Sequence, residues 1–314
     1  MQEWTVISFY QFVAILDPSA FKKRLEDFFE GKDFCGTILV APEGINSTMA
    51  GSLEGIKNFL SFLKSQPGLE NLIHKESKTT RQPFYRMKVR LKKEIVTMGV
   101  PDCKPGEKTG ILVKAQDWND LIQDPEVLLI DTRNDYEVEI GSFKGAINPK
   151  TQHFSHFVDY IQEKLKDKKN QKIAMFCTGG IRCEKATSYM LDQGFQKVYQ
   201  LEGGILKYLE EVSSEESAWE GECFVFDNRV TVNHDLKKGE YELCYACREP
   251  LSLQDQESSQ YQKGISCPRC FDKLSQLKRS ALQERQKQVQ LAKERGSLHL
   301  GWKKPKNRAA RRAN

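Results

Sequence analysis

The chain has 314 residues, with 48 Lys and Arg, 43 Asp and Glu, nine Cys and 39% hydrophobic residues. This length accommodates two or three domains with ordinary hydrophobic cores, so the fold needs no disulfide bonds for stability. The longest uncharged stretch near the start, residues 4–16, is too short to cross a bilayer. Glu3 stands where a secretory signal carries Lys or Arg. We therefore expect a cytoplasmic protein with reduced thiols and no membrane partner.

The net charge of +5 is distributed unevenly along the chain. Residues 272–314 contain 13 Lys and Arg against three Asp and Glu, a net charge of +10, which leaves −5 for the preceding residues. A basic tail of this kind is typical of proteins that bind polyanions, chiefly nucleic acid. A solvated helix followed by a frayed terminus is the alternative. The tail residues that are candidates for RNA contact are Lys303, Lys304, Arg308, Arg311 and Arg312.

The first hundred residues alternate between strand and helix patterns. Residues 4–15 form an apolar run, and Asp17-Pro18-Ser19 precedes apolar residues at helical spacing. Residues 37–40 and 46–49 are two short strand patterns around a turn, and a second amphipathic helix begins at Ser52. With a last strand in residues 85–96, this order predicts a ferredoxin-like βαββαβ domain over residues 1–100.

The pattern in residues 85–96 alternates basic and apolar side chains. Alternation predicts a half-buried strand whose outer face is basic. A solvated outer face is the default for such a strand, and an RNA-binding surface is the second interpretation. The candidate RNA contacts on this strand are Arg86, Lys88 and Arg90.

A second domain is predicted after a linker at residues 101–116, which is punctuated by Pro and Gly. Residues 127–130 and 173–176 are short, nearly continuous apolar runs, typical of strands buried on both faces. Helical patterns separate them, notably residues 154–165. We therefore predict a parallel-sheet α/β domain over residues 117–217.

The second apolar run ends at a loop that carries a cysteine. Ligand sites of α/β domains lie at the carboxyl ends of the strands. Loop N–H groups and a following helix dipole favour an anion there, so they lower a thiol pKa and favour a thiolate or a persulfide. We interpret Cys177 as a nucleophile because two glycines and an arginine follow it. The predicted active-site loop is Cys177, Thr178, Gly179, Gly180, Ile181, Arg182 and Cys183.

The spacing within this loop separates two kinds of thiolate chemistry. Cysteine-dependent phosphatases use C-x5-R, in which a longer loop wraps a phosphate and the arginine grips it. Here Arg182 comes one position early, and the shorter ring of N–H groups suits a single sulfur atom. Phosphatase activity is therefore not expected.

This loop, together with residues 129–137, 141–148 and 198–205, resembles the rhodanese domain. The resemblance implies that Cys177 accepts sulfur as a persulfide and that Asp131 and Arg133 support the active loop. Many rhodaneses have His after the glycine that matches Gly141. This chain has Ser142 there, a departure that leaves the nucleophile in place.

The resemblance extends over nearly the whole chain. Residues 37–51, 177–185 and 221–230, with a four-cysteine C-terminal segment, resemble the bacterial rhodanese-fold tRNA uridine-34 hydroxylases. The resemblance implies an enzyme that forms 5-hydroxyuridine at the wobble position, with molecular oxygen as co-substrate, the tRNA anticodon arm as partner and Cys177 as catalytic residue. The sequence has no flavin, haem or nicotinamide motif. We therefore hypothesise that a persulfide or sulfenate at Cys177 takes part in oxygen activation.

Two other functions remain open at this point. The chain can be a sulfurtransferase that passes persulfide sulfur from Cys177 to a thiol or to tRNA, or an RNA-binding scaffold with an inactive rhodanese fold. The intact loop argues against the scaffold, and the product distinguishes the two enzymes. Cys183 either resolves an oxidised Cys177 by forming a disulfide or packs the start of the helix.

Two close cysteine pairs lie in the predicted cysteine-rich segment, residues 218–273, ahead of a basic helix and tail at residues 274–314. The pattern C-x2-C, 19 residues, C-x2-C presents four thiolates for tetrahedral Zn²⁺. Unliganded cysteines or a labile disulfide pair are the alternatives. A four-cysteine site is closed, so this metal would be structural. The predicted ligands are Cys244, Cys247, Cys267 and Cys270, whereas Cys35, Cys103 and Cys223 are interpreted as structural.

Overall fold

The computed structural model describes residues 3–80, 82–234 and 236–296. The chain divides into two compact units, and the division falls between Glu242 and Leu243. The first unit holds the two larger β-sheets with their helices, and the second holds the cysteine pairs. Within the described ranges, no helix is both long enough and apolar enough to cross a membrane.

The first sheet has five strands in the order β4-β1-β3-β2-β5. Strands β1 to β4 pair in antiparallel fashion, and β5 adds to the edge parallel to β2. This is the ferredoxin-like order with one extra strand, so the predicted βαββαβ domain is confirmed. The elements are β1 (Trp4–Phe12), α1 (Pro18–Phe29), β2 (Cys35–Ala41), β3 (Gly44–Gly51), α2 (Leu53–Lys64), β4 (His74–Thr79) and β5 (Met87–Leu91).

The strand that completes the motif differs from the one predicted. It is β4, and the predicted strand in residues 85–96 is the added edge strand β5. The sequence of β4 is His-Lys-Glu-Ser-Lys-Thr, which has no apolar alternation to reveal a strand. Backbone pairing of six residues with β1 holds it in the sheet.

Both helices of this domain begin where their sequences predict. The Asp17 carboxylate accepts a hydrogen bond from the N–H of Ala20 at 2.9 Å, and the Ser52 hydroxyl accepts one from the N–H of Gly55 at 3.1 Å. Such caps satisfy backbone donors that the first helical turn leaves unpaired. The apolar helix faces then pack on the sheet around a buried cluster that includes Leu25 and Phe59.

The second sheet has four parallel strands in the order β6-β10-β9-β7. Its edge strand β6 lies inside the predicted linker, so the sheet begins before residue 117. The elements are β6 (Ile111–Val113), α3 (Ala115–Gln123), β7 (Val127–Asp131), α4 (Asp135–Val138), β8 (Gly141–Phe143), α5 (Phe157–Tyr160), β9 (Lys172–Phe176), α6 (Ile181–Asp192), β10 (Lys197–Leu201) and α7 (Gly204–Glu211).

Helices cover both faces of this sheet, as predicted for a parallel α/β domain. One buried cluster contains Phe157 and Met190 from α5 and α6, and the other contains Trp118 and Tyr208 from α3 and α7. The predicted helix in residues 154–165 is irregular: a 3₁₀ turn precedes α5 and a π-helical turn follows it. The sheet is therefore buried on both sides, and its strand ends carry the candidate site.

Short strand pairs complete the two units. In the first unit β11 (Trp219–Gly221) pairs with β8, and β12 (Cys223–Phe224) pairs with β13 (Thr231–Val232). Next along the chain, β14 (Glu242–Leu243) and β15 (Pro250–Leu251) form a two-stranded sheet. The helix α8 (Leu253–Glu257) and the basic helix α9 (Gln276–Glu294) follow in the second unit.

Candidate active site and cysteine cluster

Cys177 lies directly after β9, at the carboxyl end of a strand in the middle of the parallel sheet. Its side chain is buried, and its sulfur accepts a hydrogen bond from the N–H of Gly180 at 3.2 Å. Gly180 has a φ of +104°, which a residue with a Cβ rarely adopts. The turn at Gly180 therefore directs a backbone N–H at the sulfur immediately before α6 begins.

The pKa values of the two thiols in this loop are shifted in opposite directions. Burial on its own raises the pKa of Cys177, but the hydrogen bond from Cys183, the Arg182 charge and the N–H groups of Cys183 and Gly180 outweigh it. The pKa of Cys177 is therefore lowered. Burial and the adjacent Cys177 anion raise the pKa of Cys183 well above its usual value. Cys177 is the thiolate of the pair, and Cys183 is its hydrogen-bond donor.

Arg182 is held beneath the loop by a buried carboxylate. Its guanidinium donates to the two oxygens of Glu137 at 2.6 and 2.8 Å, and to the hydroxyl of Thr178 at 3.2 Å. Glu137 is fully buried and also accepts from the N–H of Asn134, as part of a capping box at the start of α4. A bidentate pair of this kind fixes the arginine geometrically. Glu137 therefore ties the loop to the strand-end region after β7.

Asp131 and Arg133 form a second buried pair, with a 2.6 Å contact between Arg133 Nη2 and Asp131 Oδ2. Arg133 also donates to the carbonyl of Gly141 at 2.5 Å, and the hydroxyl of Ser142 donates to Asp131 at 2.8 Å. These contacts join the end of β7 to β8. The side chains of this pair thus bind Gly141 and Ser142 of β8. Glu137, in contrast, binds the Cys177 loop directly through Arg182.

A buried lysine on α6 joins the active-site helix to the ferredoxin-like domain. The Lys185 ammonium group is fully buried and donates to Glu43 at 2.7 Å, to Glu94 at 2.6 Å and to the carbonyl of Val96 at 3.2 Å. Hydrogen bonds from Lys185 help to lower the pKa of Glu94 against the opposing effect of burial. Two carboxylates around one ammonium compensate its loss of water. The helix that carries Arg182 and Cys183 is therefore anchored from both domains.

The second unit brings its four cysteines together. Their four sulfur atoms all lie within 4.8 Å of one another. The sulfur–sulfur distance is 3.7 Å between Cys247 and Cys267, and 4.0 Å between Cys244 and Cys270. A tetrahedron with zinc–sulfur bonds of about 2.3 Å has sulfur–sulfur edges of about 3.8 Å. The cluster can therefore hold a metal ion, and its dimensions fit four-coordinate zinc.

Comparison with known proteins identifies the family. A curated protein of Teredinibacter turnerae named tRNA uridine(34) hydroxylase is 52% identical over 301 residues, which cover 96% of this chain and 94% of that protein. The chain belongs to the tRNA uridine(34) hydroxylase family. Family models also match its two sheet domains, as a UPF0176 acylphosphatase like domain at residues 4–95 and a rhodanese-like domain at residues 114–211.

Two solved structures each match about a third of this hydroxylase-family chain. A rhodanese-like domain from Anabaena is 19% identical, covers 35% of this chain and 78% of its own, and has a TM-score of 0.29. A rhodanese-related protein from Thermoplasma volcanium is 26% identical, covers 32% of this chain and 92% of its own, and has a TM-score of 0.26.

The predicted RNA-contact residues fall into two groups. On β5, Arg86 precedes the strand and is exposed, Lys88 is half-buried and Arg90 is exposed, while Met87 and Val89 pack on the domain core. Arg86 and Arg90 are therefore accessible at the edge strand, and their contact with RNA stays a prediction. The tail candidates Lys303, Lys304, Arg308, Arg311 and Arg312 lie outside the described residues.

The sequence pattern located the Cys177 loop, but the carboxylates that hold its residues in place were not predicted. Glu137 carried a local signal, because Asn134 followed three residues later by Glu is a capping-box pattern. Glu43 and Glu94 carried none, since each is far from Lys185 in sequence and meets it only through the packing of two domains. Lys185, two residues after Cys183, is the kind of buried residue whose partners only the fold can reveal.

Proposed function

We propose that this protein hydroxylates uridine 34 of tRNA to 5-hydroxyuridine with molecular oxygen as co-substrate, and that Cys177 is the catalytic residue. The observation that carries the proposal is the buried Cys177 sulfur, which accepts a hydrogen bond from the N–H of Gly180 and whose pKa is lowered, in a chain that belongs to the tRNA uridine(34) hydroxylase family. A nucleophile available at neutral pH needs its pKa lowered in this way.

The residues around Cys177 divide the work. Arg182 supplies positive charge, and Glu137 holds Arg182 in one orientation. Cys183 donates its thiol proton as a hydrogen bond to the Cys177 sulfur. Thr178 accepts from Arg182 and fixes the start of the loop. Asp131 and Arg133 hold β8 against the end of β7, so they act on the loop through the strand ends.

The remaining regions position the tRNA in this proposal. An enzyme that modifies a base needs that base unstacked and held in place, and phosphate contacts position RNA without reading its sequence. The exposed Arg86 and Arg90, the basic helix α9 and the basic tail are the surfaces we assign to the anticodon arm. We place the reaction in the cytoplasm, where Cys177 stays reduced.

We also propose that Cys244, Cys247, Cys267 and Cys270 hold Zn²⁺ with a structural role. All four ligands come from the protein, so no position is left for a substrate. The ion would neutralise four thiolates that otherwise repel one another, and would fix the two turns that carry them.

The test is nucleoside analysis in a host that lacks its own wobble hydroxylases. The wild type and Cys177→Ala are expressed, and their tRNA nucleosides are measured by mass spectrometry. We expect 5-hydroxyuridine with the wild type and a loss of at least about 100-fold with Cys177→Ala. Cys35→Ala is the matched control, because Cys35 is also buried but burial raises its pKa to about 11. Growth under isotopically heavy oxygen gas is expected to label the added oxygen.

The same measurement separates the competing functions. High mass resolution is required, because adding an oxygen and exchanging an oxygen for sulfur change the nominal mass equally. A Cys177-dependent gain of sulfur would replace our proposal with a sulfurtransferase. Salt-dependent tRNA binding with no modified nucleoside would replace it with an RNA-binding scaffold. Full hydroxylation by a folded Cys177→Ala variant would remove Cys177 from the chemistry.

A further inference from the structure

Two residues of the ferredoxin-like domain reach the Cys177 loop. On β1, the hydroxyl of Tyr10 donates to the Glu184 carboxylate on α6 at 2.9 Å, and a Cβ placed on Gly180 would lie 2.8 Å from that hydroxyl. On the neighbouring strand β4, the Lys75 ammonium group donates to the carbonyl of Gly203. The ferredoxin-like domain therefore contacts the loop directly.

Gly203 belongs to the backbone that surrounds Cys177. The next residue, Gly204, has a φ of +68°, and a Cβ there would lie 2.4 Å from the carbonyl oxygen of Cys177 and 2.8 Å from the nitrogen of Gly180. The N–H of Ile205 donates to the same Cys177 carbonyl at 2.9 Å. By binding Gly203, Lys75 brings its charge to the turn that packs against the Cys177 loop.

Lys75 carries a charge for which the described residues offer no carboxylate. Its side chain is half-buried, and no carboxylate in the described ranges lies within ion-pair distance of its ammonium group. Removal from water lowers the pKa of Lys75 to about 8, while the anion of Cys177 acts in the opposite direction. Cys223 and Glu210 also favour its charged form, and Lys207 disfavours it.

The other ionisable groups described near Cys177 are paired with an opposite charge, neutral or acidic. Glu137 binds the guanidinium of Arg182 in bidentate fashion, which offsets much of its charge. Cys183 is a neutral donor with a raised pKa. Burial raises the pKa of Tyr10, and burial also raises that of Glu184. Among the residues that the structure describes, Lys75 is therefore a cation near Cys177 without a carboxylate partner of its own.

We propose that Lys75 is a positioning residue of the active site, whose ammonium group stabilises the anion on Cys177, so that the ferredoxin-like domain completes the site that the rhodanese loop begins. The inference deepens the proposed function, since an anion held at Cys177 is what the proposed chemistry uses. Its direct consequence, a cation-dependent thiolate, exists in the free protein and can be measured without substrate.

The test measures how fast Cys177 is alkylated as a function of pH. Trypsin cuts after Lys172 and Arg182, so residues 173–182 form a peptide with Cys177 as its sole cysteine, and Cys183 falls in the next peptide. The full chain is treated with iodoacetamide between acid and alkaline pH, and the modified peptide is quantified by mass spectrometry. The pKa of Cys177 is lowered to about 5, so the thiolate fraction limits the rate only below that pH. We expect Lys75→Met to slow alkylation by about three- to tenfold below about pH 5, and to leave it unchanged at neutral and alkaline pH.

Two further variants separate charge from structure. Lys75→Arg keeps the positive charge and is expected to restore the acid-side rate. Lys78→Met is the matched control, because Lys78 lies on the same strand but is exposed and pairs with Glu3 at 3.1 Å. If Lys75→Met does not fold, Lys75→Gln provides the same loss of charge with a polar side chain. An unchanged profile in a folded Lys75→Met or Lys75→Gln variant would overturn the inference, as would a Lys75→Arg variant as slow as Lys75→Met.

Hydroxylation supplies the second readout. We expect Lys75→Met to reduce 5-hydroxyuridine formation and Lys75→Arg to recover it. The alkylation profile stands whether or not the wild type hydroxylates tRNA, so failure of the proposed function and failure of the Lys75 inference give different results.

Discussion

The two sulfur sites of this chain are held by different forces. The Cys177 loop holds one anion, which loop N–H donors and the Arg182–Glu137 pair stabilise, while the buried Lys185 anchors the following helix. The cluster brings four thiols to within 4.8 Å of one another. Protein dipoles can stabilise a single thiolate, but four adjacent thiolates need a cation. We therefore expect groups of the protein to maintain the Cys177 anion, and a metal ion to hold the four cysteines together.

Removing metal should affect only the second of these sites, and it is the largest effect we expect. Structural zinc sites of this type contribute about 10 to 16 kcal/mol of apparent binding free energy, which is coupled to folding. We expect a strong chelator to increase hydrogen exchange throughout residues 243–296. Alkylation of Cys177, followed in its tryptic peptide, should stay unchanged.

The metal content supplies the control for this prediction. The purified wild type should contain one zinc per chain, and Cys244→Ser should contain far less. Cys35→Ser should match the wild type, since Cys35 lies in the ferredoxin-like domain outside the four-cysteine group. A metal-free wild type with unchanged hydrogen exchange in residues 243–296 would contradict the prediction.

Removing a buried charge should affect only the first site. Lys185→Met leaves Glu43 and Glu94 facing each other without their cation. Breaking a buried pair by removing one partner costs about 3 to 5 kcal/mol. Both carboxylates keep some exposure, with 18% and 12% of their side-chain surface accessible, so we expect the lower end of that range. Urea unfolding of the first unit, monitored by hydrogen exchange of α6, measures the loss.

Lys108→Met is the matched control for this experiment. Lys108 also pairs with a carboxylate on α6, Asp192, at 3.1 Å, but about half of each side chain is exposed. Exposed pairs of this kind contribute about 0 to 1 kcal/mol. Equal destabilisation by the two variants would show that burial of Lys185 is not what anchors the helix.

The same contrast explains what the sequence could and could not predict. The Cys177 loop directly follows an apolar strand pattern, and the two cysteine pairs each have a short, fixed spacing. Local sequence was therefore enough to locate both sites. The ion pairs of Lys185 with Glu43 and Glu94, in contrast, join residues from two domains. Strand β4 lacks the alternation of a typical strand, because backbone pairing with β1 holds it in the sheet. Lys75 was missed for both reasons, since it lies on β4 and acts on a loop of another domain. Interactions between domains leave no periodic trace in a sequence.

The comparison extends to the basic surfaces of the two units, where we expect the smallest effects. Arg86 and Arg90 are exposed beside the edge strand of the first unit, and Lys278 and Lys287 are exposed on α9 of the second. Each phosphate contact that is lost should reduce the slope of log affinity against log salt by about 1. Arg86→Gln with Arg90→Gln should therefore weaken tRNA binding by several-fold and reduce that slope by up to about 2, as should Lys278→Gln with Lys287→Gln. Turnover at saturating tRNA should remain unchanged, because none of these four residues belongs to the Cys177 loop. Binding titrations at several salt concentrations measure the affinity and the slope for both pairs.

Lys57→Gln with Lys64→Gln is the matched control, because these exposed lysines on α2 carry the same charge elsewhere on the first unit. An equal loss of affinity in that variant would mean that net charge, and not these surfaces, attracts the tRNA.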